Sequence, residues 1–212
     1  MSVYRRREHE LRYELVLPYV KDKTVLDIGC GYGYGAAMLA KTAKSVTAID
    51  LNSAAIGTAA VRYRNLTNLT FLHGDAVSFL QTSELVVDVS VIYEVIEHLE
   101  AQDEVLRHIW RATSKDGRLF ISTPNRLRTP FYRKNPFHLK ELSLEETNSL
   151  VRKWFDIDVV KGQIQGLWAV FPQSFLGLVT SKLGGYESIV RLNAKPANSM
   201  TIILSGLRRG LP

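Results

Sequence analysis

The sequence predicts an α/β protein built on a parallel, doubly wound sheet. The first observation is that short, continuous apolar runs rich in Val, Ile and Leu alternate with helical patterns over residues 24–123. Buried parallel strands have this character because helices cover both faces of the sheet. The second observation is a glycine-rich segment, residues 29–35, between the first apolar run and the first helical pattern. Glycines at such a strand-to-helix turn let the backbone turn tightly and approach a ligand.

The elements follow in a regular order. Seven runs are predicted to be strands, at residues 24–29, 45–50, 69–75, 86–93, 118–123, 155–161 and 200–206. Helices are predicted at residues 8–19, 36–43, 53–64 and 103–113, with Ser53 as the N-cap of the third. A further helix begins after Ser143, where S-L-E-E puts Glu146 at the capping-box position. The K-D-G sequence at residues 115–117 is predicted to be a turn.

Composition indicates an ordinary globular protein. The chain has 212 residues, of which 46% are hydrophobic and 23% charged, enough to form one domain with its own core. The single cysteine, Cys30, excludes an internal disulfide and a cysteine-rich zinc site. No apolar run follows the basic N-terminus, and no uncharged apolar stretch reaches the length of about 18 residues that spans a membrane. We therefore expect a cytoplasmic, single-domain protein over residues 1–212.

Three parts of this domain differ from the alternating pattern. Residues 1–22 are predicted to be a helical lead-in. Residues 124–142 are predicted to be a basic loop, because three prolines interrupt them and residues 126–140 carry five basic residues without an acid: Arg126, Arg128, Arg133, Lys134 and Lys140. Basic charge of this kind suits an anionic small molecule, nucleic acid or an anionic membrane surface. Residues 162–198 are predicted to be an apolar lid with three aromatic side chains: Trp168, Phe171 and Phe175. These side chains pack on the sheet, line a pocket for an aromatic or lipid-like acceptor, or contact a membrane surface.

The segment V-L-D-I-G-C-G-Y-G-Y-G-A, residues 25–36, is the most informative part of the sequence. An acid, Asp50, ends the next predicted strand, where it can accept hydrogen bonds from ribose hydroxyls. By spacing alone, Gly31-x-Gly33-x-x-Ala36 with Asp50 also fits a dinucleotide fingerprint. The glycine segment therefore leaves NAD and other adenosine cofactors open.

Two further acids separate these alternatives. Asp27 lies inside the first predicted strand, where a carboxylate is unfavourable beside a pyrophosphate but suits a cofactor that carries an ammonium group. Asp75 follows the third strand in G-D-A, where it can accept a hydrogen bond from an adenine amino group. Asp27 and the absence of a recognisable set of hydride-transfer residues disfavour an NAD-dependent oxidoreductase.

Together, V-L-D-I-G-C-G-Y-G, A-I-D and G-D-A resemble, in order and spacing, the motifs of the class I S-adenosylmethionine (SAM)-dependent methyltransferases. The resemblance covers most of residues 10–206. It implies a Rossmann-like methyltransferase fold with a seven-stranded, mostly parallel sheet, helices on both faces and an antiparallel last strand. It also implies SAM as the cofactor and S-adenosylhomocysteine (SAH) as its product.

The resemblance assigns cofactor contacts residue by residue. Around the methionine part of SAM it places Asp27, Gly29, Gly31 and Gly33. At the ribose and adenine it places Asp50, Leu51, Asp75 and Ala76. Facing the methyl group it places Tyr93 and Glu94, and near the SAM carboxylate it places Arg12 and Tyr13. The alternative for the N-terminal segment E-H-E-L-R-Y-E is a solvated amphipathic helix without a cofactor contact.

The chemistry of transfer is predicted to involve histidine. Methyl transfer to a hydroxyl requires removal of its proton, and an imidazole with a pKa near neutrality suits that task. His98 follows the fourth strand, and His138 lies in N-P-F-H-L-K-E-L, which resembles a stretch of methyltransferases that act on small molecules and polysaccharides. We therefore predict His98, His138 and Glu94 as catalytic residues; the alternative is that either histidine only orders its loop through a hydrogen bond.

A metal-dependent alternative exists. The residues Glu94, Glu97, His98 and His138 resemble the set that binds a divalent metal in small-RNA 3′-end 2′-O-methyltransferases, and some ubiquinone-pathway O-methyltransferases have a similar pattern. The local motif E-x-x-E-H is also widespread among metal-free relatives. From the sequence we therefore assign no metal site.

The resulting prediction is an O-methyltransferase that acts on a small molecule or glycan precursor, with an anionic acceptor favoured by the basic loop. The closest resemblance is to ubiquinone-type and polysaccharide-cluster methyltransferases. Three alternatives stay open: a metal-assisted RNA 2′-O-methyltransferase, an N-methyltransferase on a small amine, and a non-catalytic SAM-binding subunit. The sequence contains no recognisable RNA-binding module, which disfavours nucleic acid. Peripheral membrane contact and the oligomeric state are left open.

Overall fold

The computed structural model describes residues 3–128, 135–164, 191–193, 199 and 201–210. Its six α-helices in this part of the chain are α1 Val3–Glu14, α2 Tyr34–Leu39, α3 Ser53–Arg62, α4 Ala76–Thr82, α5 Gln102–Ala112 and α6 Leu144–Val151. Its strands are β1 Thr24–Ile28, β2 Ser45–Asp50, β3 Leu69–His73, β4 Val87–Tyr93, β5 Thr113–Pro124, β6 Phe155–Ile164, β7 Arg191–Asn193 and β8 Thr201–Arg208. Short 3-10 helices occur at Leu17–Tyr19 and Ile96–His98.

All eight strands form one sheet, in the order β3-β2-β1-β4-β5-β8-β6-β7. The first five strands pair parallel to one another. Strand β8 lies between β5 and β6 and is antiparallel to both. This arrangement confirms the α/β fold and the antiparallel last strand that the motifs predicted. The short edge strand β7 is an addition to the seven strands expected from the sequence.

The direction in which successive strands are added to the sheet reverses between β1 and β4. From β1 the chain runs outward through β2 to β3, and it then returns to β4 on the other side of β1. In doubly wound sheets a ligand crevice opens outside the carboxyl ends of the strands at such a reversal. A functional site is therefore expected at the loops that follow β1 and β4.

Apolar side chains cover both faces of the sheet. In β1, Val25 belongs to one buried cluster, whereas Leu26 and Ile28 belong to the other. Neighbouring residues of a strand point to opposite faces, so a strand that is covered on both sides needs apolar residues at nearly every position. This requirement is the reason why the strands appear in the sequence as continuous apolar runs. On one face, α5 contributes Leu106 and Ile109 to the cluster that Leu26 joins.

Several element boundaries differ from the predictions. The N-cap of α3 is Asn52, whose side chain accepts a hydrogen bond from the backbone N–H of Ala55 at 3.0 Å, and Ser53 is the first helical residue. The helix ends at Arg62, two residues before the predicted end. Residues 115–117 lie within β5, at an irregularity in its pairing with β4, and not in a separate turn. The helix α4 was not predicted.

The helix after Ser143 is confirmed. Ser143 Oγ accepts a hydrogen bond from the N–H of Glu146, and the Glu146 carboxylate accepts one from the N–H of Ser143 at 2.7 Å. This capping box fixes the start of α6. The Glu146 carboxylate also accepts two hydrogen bonds from Nη2 of Arg126, at 2.9 Å each. One positive charge of the predicted basic loop therefore stabilises α6.

Parts of the predicted lid belong to the sheet. Residues 162–164 continue β6, and Arg191–Asn193 forms β7. The aromatic residues assigned to the lid, Trp168, Phe171 and Phe175, lie outside the described residues, as do Arg133 and Lys134 of the basic loop. Among the helices that the structure describes, none has the length and hydropathy needed to cross a membrane.

Candidate functional site

The predicted site residues gather at the carboxyl edge of the parallel strands. Residues 29–33 follow β1, Asp50 ends β2, and Asp75 lies two residues after β3. Residues 94–98 follow β4. Because parallel strands end at the same edge, their following loops lie next to one another.

The glycine segment after β1 has three residues with left-handed backbone angles: Gly29, Gly31 and Gly33. A Cβ atom at Gly29 would lie 2.2 Å from Cγ2 of Val95, and one at Gly33 would lie 2.5 Å from the ring of Phe71. At these two positions glycine permits close packing of the loop. At Gly31, in contrast, a Cβ atom would meet no described atom within 4 Å. The backbone of Gly31 therefore faces open space, and a ligand can approach it closely.

Asp50 holds the glycine segment in place. Its Oδ2 accepts a hydrogen bond from the N–H of Gly31 at 2.7 Å, and its Oδ1 accepts one from the N–H of Asn52 at 2.8 Å. Each carboxylate oxygen has a second lone pair, so both remain able to accept hydrogen bonds from ligand hydroxyls. Next to it, the side chain of Leu51 is 70% exposed and offers an apolar surface at the same edge.

Asp75 has a structural contact that the sequence analysis did not predict. It is the N-cap of α4, and its Oδ1 accepts hydrogen bonds from the N–H and the hydroxyl of Ser78, both at 2.8 Å. Ala76 is the first residue of that helix. Both residues lie at the edge beside Asp50, since the N–H of Gly74 donates to the Asp50 carbonyl at 3.1 Å.

Asp27 is fully buried within β1. Both of its carboxylate oxygens lie within hydrogen-bond distance of the Tyr13 hydroxyl, at 2.9 and 3.1 Å. Burial raises the pKa of Asp27 to about 7; the hydrogen bond from Tyr13 opposes this rise, and the charge of Asp50 adds to it. The ring of Tyr13 has space because residue 35 is glycine: a Cβ atom at Gly35 would lie 2.1 Å from it. The sequence analysis did not single out Gly35.

Arg12 connects the end of α1 to the carboxyl edge of the parallel strands. Its side chain is buried, and its Nε donates a hydrogen bond to Oε1 of Gln163 in β6 at 2.6 Å. Its backbone carbonyl accepts a hydrogen bond from the hydroxyl of Tyr93 at 3.1 Å. Its Nη1 lies 3.4 Å from Oε1 of Glu94 and has no hydrogen-bond partner among the described residues. The residues predicted in the N-terminal segment are thus brought to the ends of β1 and β4.

Glu94 is held in a strained position just after β4. Its φ angle is +56°, a left-handed value that non-glycine residues adopt at a cost of about 1–3 kcal/mol. Two contacts with β5 fix it: its N–H donates to the carbonyl of Ser122 at 3.0 Å, and its Oε1 accepts from the hydroxyl of Ser122 at 2.8 Å. Glu94 is therefore anchored to Ser122 and Arg12.

Glu97, His98 and His138 form a second cluster at this edge. The imidazole rings of His98 and His138 meet edge to face, with their centroids 4.8 Å apart. One ligand atom from each of the three side chains lies within 4.8 Å of the others. Glu94 is not a member of this cluster, although the sequence places it in the same motif.

Each imidazole has one nitrogen engaged. Nδ1 of His98 lies 2.8 Å from the carbonyl oxygen of Phe137, and Nδ1 of His138 lies 2.5 Å from Oε1 of Glu141. A carbonyl oxygen can only accept, so Nδ1 of His98 carries the proton and Nε2 carries a lone pair when the ring is neutral. The Glu141 carboxylate favours the same tautomer in His138.

Glu97 is buried beneath the two histidines. Its Oε2 accepts a hydrogen bond from the hydroxyl of Thr123 at 3.2 Å, whereas its Oε1 has no partner among the described residues. Burial and the nearby charge of Glu94 raise the pKa of Glu97 to about 8. The Glu97 carbonyl accepts hydrogen bonds from the N–H groups of Leu139 and Lys140, at 2.9 and 3.1 Å. These bonds bring His138 to the end of β4.

Sequence reasoning missed four partners of the predicted residues: Ser122, Thr123, Glu141 and Gln163. Glu141 carried a usable signal, since it lies three residues after His138 in H-L-K-E. The other three occur in strands far along the chain from the side chains that they contact. These three residues become partners only because the order of strands in the sheet brings them next to the predicted site residues.

Comparison with known proteins supports membership of a methyltransferase family. A family model described as a methyltransferase domain matches residues 26–121. A "Probable S-adenosylmethionine-dependent methyltransferase" of Mycobacterium tuberculosis is 34% identical over 151 residues, which are 68% of this chain and 53% of that protein. A ubiquinone biosynthesis O-methyltransferase of Hydrogenovibrio crunogenus is 31% identical over 121 residues, which are 55% of this chain and 49% of that protein. The chain thus spans about half the length of these curated relatives.

A solved structure shares the fold over nearly the whole chain. It is the N-methyltransferase NodS from Bradyrhizobium japonicum in complex with SAH, with a TM-score of 0.69 and 18% sequence identity. The alignment covers 99% of this chain and 89% of that one. At this level of identity the likeness shows the fold alone.

Asp27 leads to a prediction about stability. Its pKa in the folded protein is about 7, above its ordinary value of 3.8. The folded state therefore binds more protons than the unfolded chain between these values, and the contribution of Asp27 to stability declines as the pH rises through them. We expect Asp27→Asn to remove this part of the decline. The measurement is urea denaturation of the ligand-free protein at several pH values from about 4 to 8.

The control for this experiment is Asp116→Asn, which removes an exposed carboxyl group. We expect this variant to keep the pH dependence of the parent. An Asp27→Asn variant whose unfolding free energy follows the same pH dependence as the parent would show that the buried carboxyl has an ordinary pKa.

Proposed function

The chain belongs to the class I SAM-dependent methyltransferases, and on that basis we propose that it transfers the methyl group of SAM to a hydroxyl group of a small molecule or glycan precursor. The single observation that supports this choice best is the His138–Glu141 pair at the carboxyl edge of β4. A hydroxyl group must lose a proton during transfer, and this pair supplies a base at the required edge of the sheet.

The proposed cofactor position rests on the glycine segment. The residues fit SAM because the backbone of Gly31 faces open space and the Asp50 carboxylate, which holds that backbone, retains acceptor capacity. The exposed side chain of Leu51 offers an apolar surface for the adenine ring. The buried carboxyl group of Asp27 suits the ammonium group of the methionine part, because a positive charge beside it favours its ionised form.

Bound SAM supplies a methyl carbon on a sulfonium: the new O–C bond forms as the S–C bond breaks, and the electron pair stays on sulfur in SAH. The protein must align the acceptor oxygen with this carbon and accept its proton. In the proposed mechanism Nε2 of His138 accepts the proton. Glu141, beside Nδ1, orients the ring and stabilises the imidazolium that forms. Glu94 is positioned by Ser122 and Arg12 to contact the acceptor or the cofactor.

The exposed side chains beside His138 support an acceptor with an apolar part. The side chains on either side of His138, Phe137 and Leu139, are 75% and 57% exposed. Exposed large apolar groups next to a site commonly mark a ligand-contacting surface. The ubiquinone biosynthesis O-methyltransferase relative supports oxygen as the acceptor atom. The anionic character that the basic loop suggested stays a prediction, because Arg126 pairs with Glu146.

The direct test is transfer of labelled methyl from SAM to a cell extract that is then separated into small-molecule, lipid, RNA and protein fractions. We expect label in the small-molecule or lipid fraction, in a form that withstands mild alkali as methyl ethers do. Label confined to RNA, to nitrogen or to alkali-labile esters would contradict O-methylation of a small acceptor.

The cofactor position predicts the effect of a charge-neutral change at Asp50. We expect Asp50→Asn to weaken SAH binding about 10- to 100-fold, since one oxygen of a charge-assisted acceptor pair is lost. Isothermal titration calorimetry measures this affinity, and thermal unfolding without ligand reports any loosening of the glycine segment. Asp116→Asn is the matched control. Equal affinities of parent and Asp50→Asn would argue against the ribose assignment.

The proton-removal step predicts a separation of two measured quantities. We expect His138→Gln to lower kcat by about 100-fold or more while SAH affinity stays unchanged, because general bases contribute a factor of this size. The control is Glu145→Gln on the exposed side of α6. If kcat in His138→Gln equals that of the parent, His138 has only a structural role.

A further inference from the structure

We infer that Gln163 is a positioning residue for cofactor binding: it orients the buried guanidinium of Arg12, so that Nη1 of Arg12 can bind the carboxylate of an amino-acid group. The inference rests on the proposed function, because it takes SAM and SAH as the ligands. Gln163 lies near the end of β6, more than a hundred residues along the chain from the glycine segment. No motif in the sequence singles it out.

The first argument is the burial of both side chains. Arg12 is 1% exposed and Gln163 is 0% exposed. A guanidinium that is removed from water is costly unless protein groups replace its hydration. One such group is Oε1 of Gln163, which accepts a hydrogen bond from Nε of Arg12 at 2.6 Å. Gln163 therefore holds the side chain of Arg12 from the far side of the sheet.

The second argument is the direction that this hydrogen bond gives to the rest of the group. A guanidinium is planar, and its N–H groups point in fixed directions, so a bond at Nε also sets the orientation of Nη1. Nη1 is buried and has no hydrogen-bond partner among the described residues. Buried donors in native structures are nearly always satisfied, so a donor held in this way indicates an oxygen that a ligand supplies.

The nearby acid does not satisfy Nη1. Oε1 of Glu94 lies 3.4 Å from Nη1, which is longer than the length of about 2.7–2.9 Å that is typical of a charge-assisted hydrogen bond. The same oxygen already accepts a hydrogen bond from the hydroxyl of Ser122. The side chain of Glu94 is 23% exposed, so its rotation would open Nη1 to a ligand at the edge of the sheet.

The third argument is that Gln163 is neutral. Its amide oxygen orients Arg12 without compensating the positive charge, which stays available to attract an anion. A carboxylate at this position would form an ion pair with Arg12 and weaken that attraction. The backbone of Arg12 is held separately, because its carbonyl accepts a hydrogen bond from the hydroxyl of Tyr93 at 3.1 Å.

The charges at the end of α1 fit an amino-acid group better than a simple anion. The residue after Arg12 is Tyr13, whose hydroxyl contacts the carboxylate of Asp27. A buried base and a buried acid therefore meet the same turn of α1. An amino-acid group carries an ammonium and a carboxylate on one carbon atom, and it needs such a pair of partners. A simple anion has no group for Asp27 to bind.

The test compares two ligands that differ only in the carboxylate, SAH and decarboxylated SAH. Isothermal titration calorimetry with the full chain measures both affinities. We expect the parent to bind SAH about 10- to 100-fold more tightly, because decarboxylated SAH lacks the partner of a buried cation. We expect Gln163→Leu to reduce this preference about 10-fold or more, while the affinity for decarboxylated SAH stays that of the parent.

Ser205→Ala is the matched control. Ser205 is buried in the neighbouring strand β8, and its hydroxyl accepts a hydrogen bond from Nη1 of another arginine, Arg118, at 2.9 Å. We expect this variant to keep the full preference for SAH. A general loosening of the sheet would lower both affinities alike and leave the preference unchanged.

Gln163→Glu is a second variant in case Gln163→Leu does not fold. It keeps the size of the side chain and the acceptor for Nε, but its charge compensates Arg12, so we expect the preference for SAH to fall here as well. In an Arg12→Gln background, Gln163→Leu should cause no further loss of preference, because Gln163 acts through Arg12. A further loss in that background would contradict the positioning role.

The inference is overturned if a folded Gln163→Leu or Gln163→Glu variant keeps the preference of the parent, or if both affinities fall by the same factor. It is also overturned if the parent binds the two ligands equally well. SAH binding by the parent without this preference would leave the proposed function in place. A parent that binds neither ligand would instead remove the cofactor on which the proposed function depends.

Discussion

The charged side chain of Arg12 is almost completely buried. Burial of a guanidinium group costs several kcal/mol unless partners replace the lost hydration. Gln163 and Glu94 supply these partners from β6 and from the loop after β4. The end of α1, the far side of the sheet and the central loop must therefore come together in one arrangement. The neighbouring hydrogen bond from Tyr13 to Asp27 depends on the same position of α1.

The buried position of Arg12 connects two parts of the candidate site, the glycine segment after β1 and the loop after β4. The glycine segment and the loop after β4 contact each other directly, because residue 29 has no side chain to separate its backbone from Val95. Glu94, next to Val95, keeps its strained backbone through its contacts with Ser122 and Arg12. A movement of α1 would therefore reach both the proposed cofactor position and the acid that follows β4.

The sequence predicts those features that depend on neighbouring residues. The glycine segment and the capping box of Ser143 are recognisable because each lies within a few consecutive residues. Asp50 is recognisable because it ends the predicted strand that follows the glycine segment, although its contact with Gly31 joins two strands. The N-cap of α3 was predicted to be Ser53, and the structure has Asn52. Both side chains can cap a helix, and only the path of the chain after β2 decides between them. The apolar pattern also predicts the order of strands and helices well.

Other features depend on which strands become neighbours. Ser122 and Gln163 occupy buried strands, where a polar residue gives no hint of the distant charge that it contacts. Residues 115–117 look like a turn, but pairing with β4 draws them into β5. The tautomers of His98 and His138 are likewise set by Phe137 and Glu141 only after the segment around residue 138 reaches the end of β4.

The position of β8 has a consequence for the order in which the sheet can be completed. Strands β5 and β6 leave the ribosome before β8, and they lie one strand apart with β8 between them. Until Thr201–Arg208 is available, each of these strands has a row of backbone N–H and C=O groups without its final partner. Insertion of β8 pairs residues far apart in sequence, which is a slow step of high contact order. A nascent or truncated chain that lacks β8 would therefore have a gap inside the sheet and would be prone to strand-to-strand association with other chains.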